Sequence, residues 1–536
     1  MFAFTVWMDP HWRTRPGNSM ARRPLDMQQA TIPSRGLSLN EVLPNAHFFN
    51  GGDVQFSSCC SDAYQCQDGD LFVALLGDED DGHELAREAI RRGAKGVVAE
   101  RPLPLEVPVC VVPDTRQALG HVCQALAGNP SQRMDILGVT GTNGKTVTSL
   151  LMQSVLHEAG RCVGASTTMG YDDSFETRAA SQTTPAPTEL ADLMARMVAA
   201  GCTNAVVEVN SQALARHQLA GVELDAAIVT NVRRNHLDLH GSVMNYRRIK
   251  SRILNHLSPE AFLVLNADDA GSKMLESKSQ NPTITVALHG DAEIRATVVE
   301  RFPSEQTFLI HAGNDSIPVR TQIIGDQHIY SCLQVVAAGL IMGISLPTIV
   351  RGLEAITTLP GRMERLECGQ PFSVFVDLAN TPDRLAMSLK NLKRVAQGRV
   401  ICVYGPDAYG DHEHRPLLGR VAEKTADVSI ITSNQPGLEE PLQIVHDVLD
   451  GYDRVARAHV MPDREHAITH ALEQARPGDA VLIAGKGNVG YQVHGQTHGI
   501  LDDRQIAERW LYRVGSQLTY ADTSRPRILP FSAQLN

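Results

Sequence analysis

No two of the ten cysteines stand at a zinc-finger spacing. The adjacent pair Cys59-Cys60 cannot easily serve one tetrahedral ion. The expectation is a reduced, cytoplasmic protein with buried thiols. Positive charge is not in excess either. The chain has 49 Lys and Arg against 60 Asp and Glu, a formal net charge of −11. That balance excludes a general nucleic-acid binder, and an anionic substrate would need a locally basic pocket. No apolar run is long enough for a membrane span. The longest, Cys332 to Leu346, is followed by Pro347 and reads as a buried core helix. The opening Met1-Phe-Ala-Phe-Thr-Val-Trp-Met8 is short, lacks a basic start and runs into Asp9-Pro10, so it makes a poor signal peptide; Met20 is an alternative start. Repeats of solenoid period are missing as well.

What is present is ordinary globular material. The chain of 536 residues is 43% apolar and 20% charged, which points to two to four domains. Residues 1–36 are polar and rich in Arg and Pro, and are expected to be disordered. Residues 37–129 alternate short strands and helices, as a small α/β unit does: strands at 70–76, 96–99 and 109–112, helices at 82–92 and 116–127. Residues 130–346 form a second α/β domain with strands at 204–209, 226–230 and 261–265, a β-rich excursion over 284–321 and a closing helix at 330–342. A third α/β unit occupies 347–514, with strands at 372–377, 400–404, 428–432 and 480–484. Residues 515–536 read as a tail.

The segment Asp135-Ile-Leu-Gly-Val-Thr-Gly-Thr-Asn-Gly-Lys-Thr146 carries the most chemistry. It reads as a buried strand, a glycine-rich turn and a helix running to Glu158. Gly141 and Gly144, flanking Thr142 and Asn143, let backbone N–H groups approach phosphate oxygens. The helix end adds a positive dipole. Lys145 can reach terminal phosphates, and the Thr146 hydroxyl can ligate Mg2+. The spacing departs from the standard phosphate loop, since Val139 occupies the first-glycine position. The plain alternative is a tight strand–helix turn whose lysine is merely solvated.

Three groups downstream suit a metal-dependent phosphoryl enzyme. Glu208 ends a strand, where open α/β sheets bind ligands. His236 follows the next strand, and Lys250 lies on the helix beyond. His236 and His240 form an isolated His-x-x-x-His, but no third zinc ligand has suitable spacing. Mg2+ prefers oxygens. A satisfied loop histidine is the plain reading of His236.

Beyond these residues, several motifs occur in a fixed order: Gly141-Thr-Asn-Gly-Lys-Thr146, Thr183-Thr-Pro185, Glu208-Val-Asn-Ser211, Thr230-Asn231 through His236-Leu-Asp-Leu-His-Gly241, Tyr246 to Lys250, Pro360-Gly-Arg-Met-Glu364, Val376-Asp377 with Thr381-Pro-Asp383, and Gly485-Lys-Gly487. In these the chain resembles the Mur ligase family, from about Leu37 to Arg509. Within the family it looks closest to the UDP-N-acetylmuramoyl-tripeptide synthetases. The resemblance implies an α/β fold of three domains, with a central P-loop-type parallel sheet and a C-terminal Rossmann-like domain. It implies an ATP-driven amide ligation: a substrate carboxylate takes the γ-phosphoryl group, and an amine then attacks the acyl phosphate. ATP and Mg2+ would be required, with a UDP-linked sugar-peptide and an amino acid as partners and a monomer as the working form. By resemblance Lys145 and the loop amides hold the triphosphate. Thr146 and Glu208 hold one Mg2+; His236 and a carbamylated Lys250 serve a second. Lys145, His236 and Lys250 are thus the implied catalytic set. Thr183, Thr184, Ser211 and Arg216 contact the sugar-peptide, Arg362 sits at the hinge of the third domain, and Asp377 belongs with it to the nucleotide set.

The chain also departs from the family's patterns. Asp377-Leu-Ala-Asn-Thr-Pro-Asp383 replaces an aromatic and an imidazole with Leu378 and Asn380. The loop Gly405-Pro-Asp-Ala-Tyr-Gly-Asp411 lacks the family's arginine. Diaminopimelate-adding members carry an arginine where this chain has Gly437, and a glutamate where it has Val489. Asp62-Ala-Tyr64 stands for the uridine-proximal Asp-Ser-Arg. Gln218 falls at the arginine that meets the sugar-peptide carboxylate, with Arg216 nearby. His328 and Ser331 fall at adenine-contacting asparagines. A ligase is the leading reading. Its rival is a catalytically impaired paralogue that binds nucleotide and acts as a regulatory or scaffold protein; a ligase for an unrelated carboxylate is a third.

Overall fold

The computed structural model describes residues 36–523 except 78–79, 235–236 and 409. The segment expected to be disordered thus lies outside the described residues, apart from Gly36. The chain falls into two compact units. One holds residues up to 297 together with 309–319 and 327–355; the other holds 298–308, 320–326 and the residues from 356 onward.

The first unit contains two main sheets. The N-terminal one runs His47–Phe49, Val109–Val111, Gly96–Ala99, Leu71–Val73, Cys59–Cys60. Its neighbours are parallel except for the first pair, which is antiparallel. Leu71–Val73 and Gly96–Ala99 are buried at every position, as strands covered on both faces must be. The helix Thr115–Leu126 starts where the Asp114 carboxylate accepts the Gln117 N–H.

In the second sheet the apolar strand Asp135–Thr140 lies between Asn204–Val209 and Leu224–Val229, parallel to both. Val163–Thr167 extends one side; Leu257–Asn266 and Thr283–Ala287 extend the other. The excursion expected over 284–321 continues the same sheet through Ile294–Arg301, Gln306–Ala312 and Asp315–Thr321. Its middle strand alternates buried and half-buried positions, the signature of a one-sided strand.

Residues 332–341 of the apolar run lie in the buried helix Asp326–Ile341. Among the described residues no helix is long and apolar enough to cross a membrane. Pro347 does not end the first unit. It opens the helix Leu346–Glu354, where proline costs nothing, and the Ser345 side chain caps that helix. The helix then packs on Lys145–Glu158: the Ser154 hydroxyl donates to the Gly352 carbonyl at 2.7 Å. A Cβ at Gly352 would lie 2.6 Å from Val155 Cα. The unit therefore continues to Ala355 rather than stopping at 346.

The second unit carries a six-stranded sheet in the order Glu364–Leu366, Ser373–Asp377, Ala480–Ala484, Val400–Tyr404, Val428–Ile431, Ala458–Val460. All neighbours are parallel except the antiparallel edge pair. Strand alternation splits its core in two: Val400, Cys402 and Tyr404 face one cluster, Ile401 and Val403 the other. This is the Rossmann-like sheet expected. The last helix, Asp503–Thr523, runs past the tail boundary set at 514. It is anchored at its start by a buried pair, with Arg464 Nε 2.7 Å from Asp503 Oδ1.

Candidate active site at the phosphate loop

The strand Asp135–Thr140 delivers the loop 141–144 to the sheet's C-terminal edge, and the helix Lys145–Glu158 leaves from it. Gly141 has φ +149°, and a Cβ there would lie 1.8 Å from Thr230 Oγ1, so the turn admits only glycine. Gly144, at φ +87°, caps the helix without a side-chain hydrogen bond. The first intrahelical bond runs from Thr148 N–H to the Gly144 carbonyl at 2.9 Å. The N–H groups of Lys145, Thr146 and Val147 precede that ladder and present the positive end of the helix dipole.

Not every loop amide points outward. Thr142 N–H donates to the Asn231 carbonyl at 2.8 Å and Asn143 N–H to Asn231 Oδ1 at 3.0 Å. The phosphate-facing amides are therefore those of the helix's first turn. Lys145 Nζ folds back on the Gly141 and Thr142 carbonyls at 3.1 and 3.4 Å.

Glu208 ends the strand next to the loop strand and is 1% exposed. Its Oε1 accepts from the Thr146 hydroxyl at 2.8 Å, and its Oε2 from Thr168 N–H at 2.7 Å and the Thr168 hydroxyl at 3.1 Å. These donors are neutral, so a buried negative charge remains beside two hydroxyl oxygens. Such a hard, anionic donor set fits a magnesium ion.

Lys250 is more deeply placed than a solvated helix position would be. The helix Val243–Ser251 is capped by Ser242 and turns Tyr246, Ile249 and Lys250 inward, as i, i+3 and i+4 spacing requires. Lys250 Nζ donates to Thr140 Oγ1 and to the Gly141 carbonyl, both at 3.0 Å. Burial, reinforced by the Lys145 cation, holds its ammonium well below the ordinary lysine range, while Glu208 pulls the other way. The Tyr246 hydroxyl lies 3.0 Å from Thr142 Oγ1 and ties this helix to the loop.

The expected substrate residues divide. Thr183 is half-buried and its hydroxyl oxygen lies 3.2 Å from that of Thr168, which brings it to the Glu208 cluster. Thr184 is fully buried. Its hydroxyl donates to the Glu208 carbonyl at 2.8 Å and accepts from Asn210 N–H at 3.1 Å, so it fixes the strand end that carries Glu208. Ser211 Oγ lies 3.0 Å from His240 Nε2, deep in the same edge. Arg216 is exposed at the end of the helix Ser211–Ala215, with buried Gln218 beyond it. His236 lies outside the described residues.

On the helix side of the loop, Ser331 Oγ accepts from the Thr148 hydroxyl at 3.0 Å. One turn earlier, His328 is buried, and among the described residues neither ring nitrogen has a hydrogen-bond partner. Burial pushes its imidazolium down to about 4.

The second unit has a polar cluster of its own. Asp407 Oδ1 accepts from Asn434 Nδ2 at 2.6 Å and Oδ2 from Asn380 Nδ2 at 3.2 Å. Burial raises the Asp407 carboxyl, and burial together with Arg464 brings nearby Lys486 down to about 8. Asn380 and Asp407, singled out in the sequence, are thus joined by a hydrogen bond, with Lys486 close enough to act on Asp407 electrostatically. Asp377 is a buckle: it accepts from Met363 N–H at 2.7 Å, Ala379 N–H at 3.0 Å and the Ser388 hydroxyl at 3.1 Å. It fixes the backbone that carries Arg362, whose guanidinium donates to the Gly361 carbonyl at 3.1 Å.

Sequence reasoning missed Thr168, which carries no motif signal. It also gave no separate role to Thr230 and Asn231, although both fall inside a quoted motif.

Residues 139–339 match the Mur ligase middle domain and residues 361–487 the Mur ligase, glutamate ligase domain. The chain is 36% identical over 472 residues to the UDP-N-acetylmuramoyl-L-alanyl-D-glutamate--2,6-diaminopimelate ligase of Geobacillus thermodenitrificans (strain NG80-2), covering 87% of this chain and 96% of that protein. Its fold is similar to a solved structure of a UDP-N-acetylmuramoyl-L-alanyl-D-glutamate--2,6-diaminopimelate ligase, with a TM-score of 0.66 and 27% identity over 90% of this chain and 99% of that one. It is also similar in fold to the MurF ligase from Thermotoga maritima in complex with ADP, with a TM-score of 0.59 and 17% identity over 85% of this chain and 98% of that one. The chain belongs to the Mur ligase family.

Proposed function

We propose that this chain is an ATP- and Mg2+-dependent ligase that adds an amino acid to UDP-N-acetylmuramoyl-dipeptide in peptidoglycan synthesis, as a cytoplasmic monomer. The observation that carries the reading is the buried Thr146–Glu208 pair at the mouth of a glycine-rich loop. The similarity to ligases along nearly the whole chain favours the enzyme over a nucleotide-binding paralogue.

The residues divide the work as follows. The first-turn amides of Lys145–Glu158 and the Lys145 ammonium hold the triphosphate, with Lys145 leaving its loop carbonyls to do so. Thr146 and Glu208 would hold Mg2+, whose charge, when bound, offsets that of the phosphates. Lys250 reacts as the neutral amine its burial favours: carbon dioxide adds to Nζ, a proton leaves, and the resulting carbamate is an oxygen ligand that His236 joins by family position. Thr183, Ser211 and Arg216 orient the sugar-peptide so that its carboxylate faces the γ-phosphorus; Thr184 holds Glu208 in place. Arg362 and Asp377 belong to the nucleotide set of the second unit. There is no covalent enzyme nucleophile in this scheme; positioning and charge supply the rate. Gly437 and Val489 stand where diaminopimelate-adding members carry an arginine and a glutamate, which argues against diaminopimelate as the acceptor.

Phosphate release with UDP-N-acetylmuramoyl-dipeptide, Mg·ATP and an amino-acid panel that includes diaminopimelate tests this. Release should need every component and vanish in Lys145→Ala. No release from folded protein with any amino acid would return the nucleotide-binding paralogue.

A further inference from the structure

Away from the phosphate loop, the N-terminal sheet holds a pair of thiols in an unusual relation. Cys60 closes the edge strand Cys59–Cys60, and Cys66 follows the turn 61–65. Their Sγ atoms are 2.7 Å apart. That is well inside ordinary sulfur contact; Cys162 and Cys202 elsewhere in the unit are 3.6 Å apart. Closing the Cys60–Cys66 gap to a bond of about 2.05 Å requires a shift of roughly 0.7 Å. Cys66 belongs to an apolar cluster with Ala63 and Phe72, and the partly buried Cys60 packs against it. The turn between them is tied by Asp62, which accepts Tyr64 N–H at 2.9 Å and Gln65 Nε2 at 2.8 Å.

Asp70 lies within 4.8 Å of both sulfurs, which raises the alternative of a metal site. Two thiolates on a tetrahedral ion at about 2.3 Å stand roughly 3.8 Å apart, well beyond the observed separation. Asp70 is also engaged already: Oδ2 accepts Gln67 N–H at 2.8 Å, and Oδ1 accepts the Ser58 hydroxyl. The geometry favours a sulfur–sulfur bond over a shared ion.

We propose that Cys60 and Cys66 form a reversible disulfide that clamps the turn 61–65. The oxidant is a small-molecule disulfide such as oxidised glutathione. One protein thiolate attacks it and releases one glutathione thiol, leaving a mixed disulfide. The second thiolate attacks the protein sulfur of that adduct and releases the other glutathione. Two protein thiols are oxidised, one disulfide is reduced, and the protons end on the released thiols. Burial raises both thiols above their usual range, so exchange is slow at neutral pH and faster when alkaline.

The test uses the full-length protein held with oxidised glutathione at mildly alkaline pH, alkylated, and cut with chymotrypsin under non-reducing conditions. Cleavage after Tyr64 places the two cysteines on separate peptides, which remain joined only by the bond. The expected result is a joined peptide pair that reductant separates. In Cys66→Ser the pair should vanish and Cys60 should retain glutathione. Alkylation of both cysteines in the oxidised wild type would overturn the proposal. Zn2+ protecting both thiols while the peptides stay separate would make the pair a metal site and overturn it equally.

Discussion

The Thr146 hydroxyl and the Glu208 carboxylate, 62 residues apart in the chain, meet at 2.8 Å where the helix Lys145–Glu158 begins beside the strand Asn204–Val209. The contact requires the phosphate loop to end one strand and Glu208 to end its neighbour in matching register, Val139 opposite Glu208. Removing either oxygen should weaken Mg2+ at the loop. Glu208→Gln and Thr146→Ala are expected to lower kcat by about 10²–10³, the usual loss for one electrostatic stabiliser, and to raise the Mg2+ midpoint. Thr146→Ser should retain most activity. A magnesium titration of phosphate release checks all three.

Lys250 offers a sharper chemical test. An amine held neutral by burial adds carbon dioxide; a charged one does not. Turnover should fall in buffers stripped of carbon dioxide and return with bicarbonate, and 13C-bicarbonate should yield a carbamate resonance absent from Lys250→Ala. Wild-type turnover indifferent to bicarbonate, with no such resonance, would remove the carbamate.

Gly141 fixes the loop through a contact that no side chain can share, with Thr230 Oγ1 only 1.8 Å from a built Cβ. Gly141→Ala should cost about 2–3 kcal/mol of stability and most ATP affinity, because the strand end and the loop must separate. Gly160→Ala, with nothing within 4 Å of its Cβ but φ +73°, should cost less than that and leave ATP binding intact. Denaturant midpoints and nucleotide calorimetry compare the two.

His328 predicts an acid-labile fold. Its imidazole takes a proton near 6.5 when unfolded and only near 4 when folded. Between those values the unfolded chain binds more protons, so stability falls as pH drops through the window and levels below it. The contribution is roughly 3 kcal/mol for a shift of this size. His328→Asn, which cannot titrate, should lessen the slope between pH 6.5 and 4 in thermal unfolding, leaving the share of His256, which burial also brings down to about 4. An unchanged slope would place the acid sensitivity elsewhere.

Much of this was legible in the chain. The central strands of both large sheets are mainly apolar runs, and 135–140, 400–404 and 480–484 are followed at once by glycine; such runs announce buried parallel strands. The phosphate loop, Glu208 and Lys250 could be placed because each sits at a strand end or a fixed helical spacing beyond one. Burial partners were not legible. Nothing local says that Thr168 would reach Glu208, or that Asn231 would take two of the loop amides. Those contacts come from the sheet order, which pairs segments scores of residues apart. Pro347 misled for a related reason: a proline after an apolar run can end one helix or begin the next, and the capping Ser345 decides. The Cys60–Cys66 approach was hidden because five intervening residues fold back on themselves through Asp62.

The central claim is that the substrate carboxylate is phosphorylated before the amine arrives. A dipeptide substrate carrying 18O in the reacting carboxylate, turned over with ATP and the amino acid, tests it directly. The account predicts one 18O in each inorganic phosphate released. Phosphate released without label, as from ATP hydrolysis by water, would contradict it.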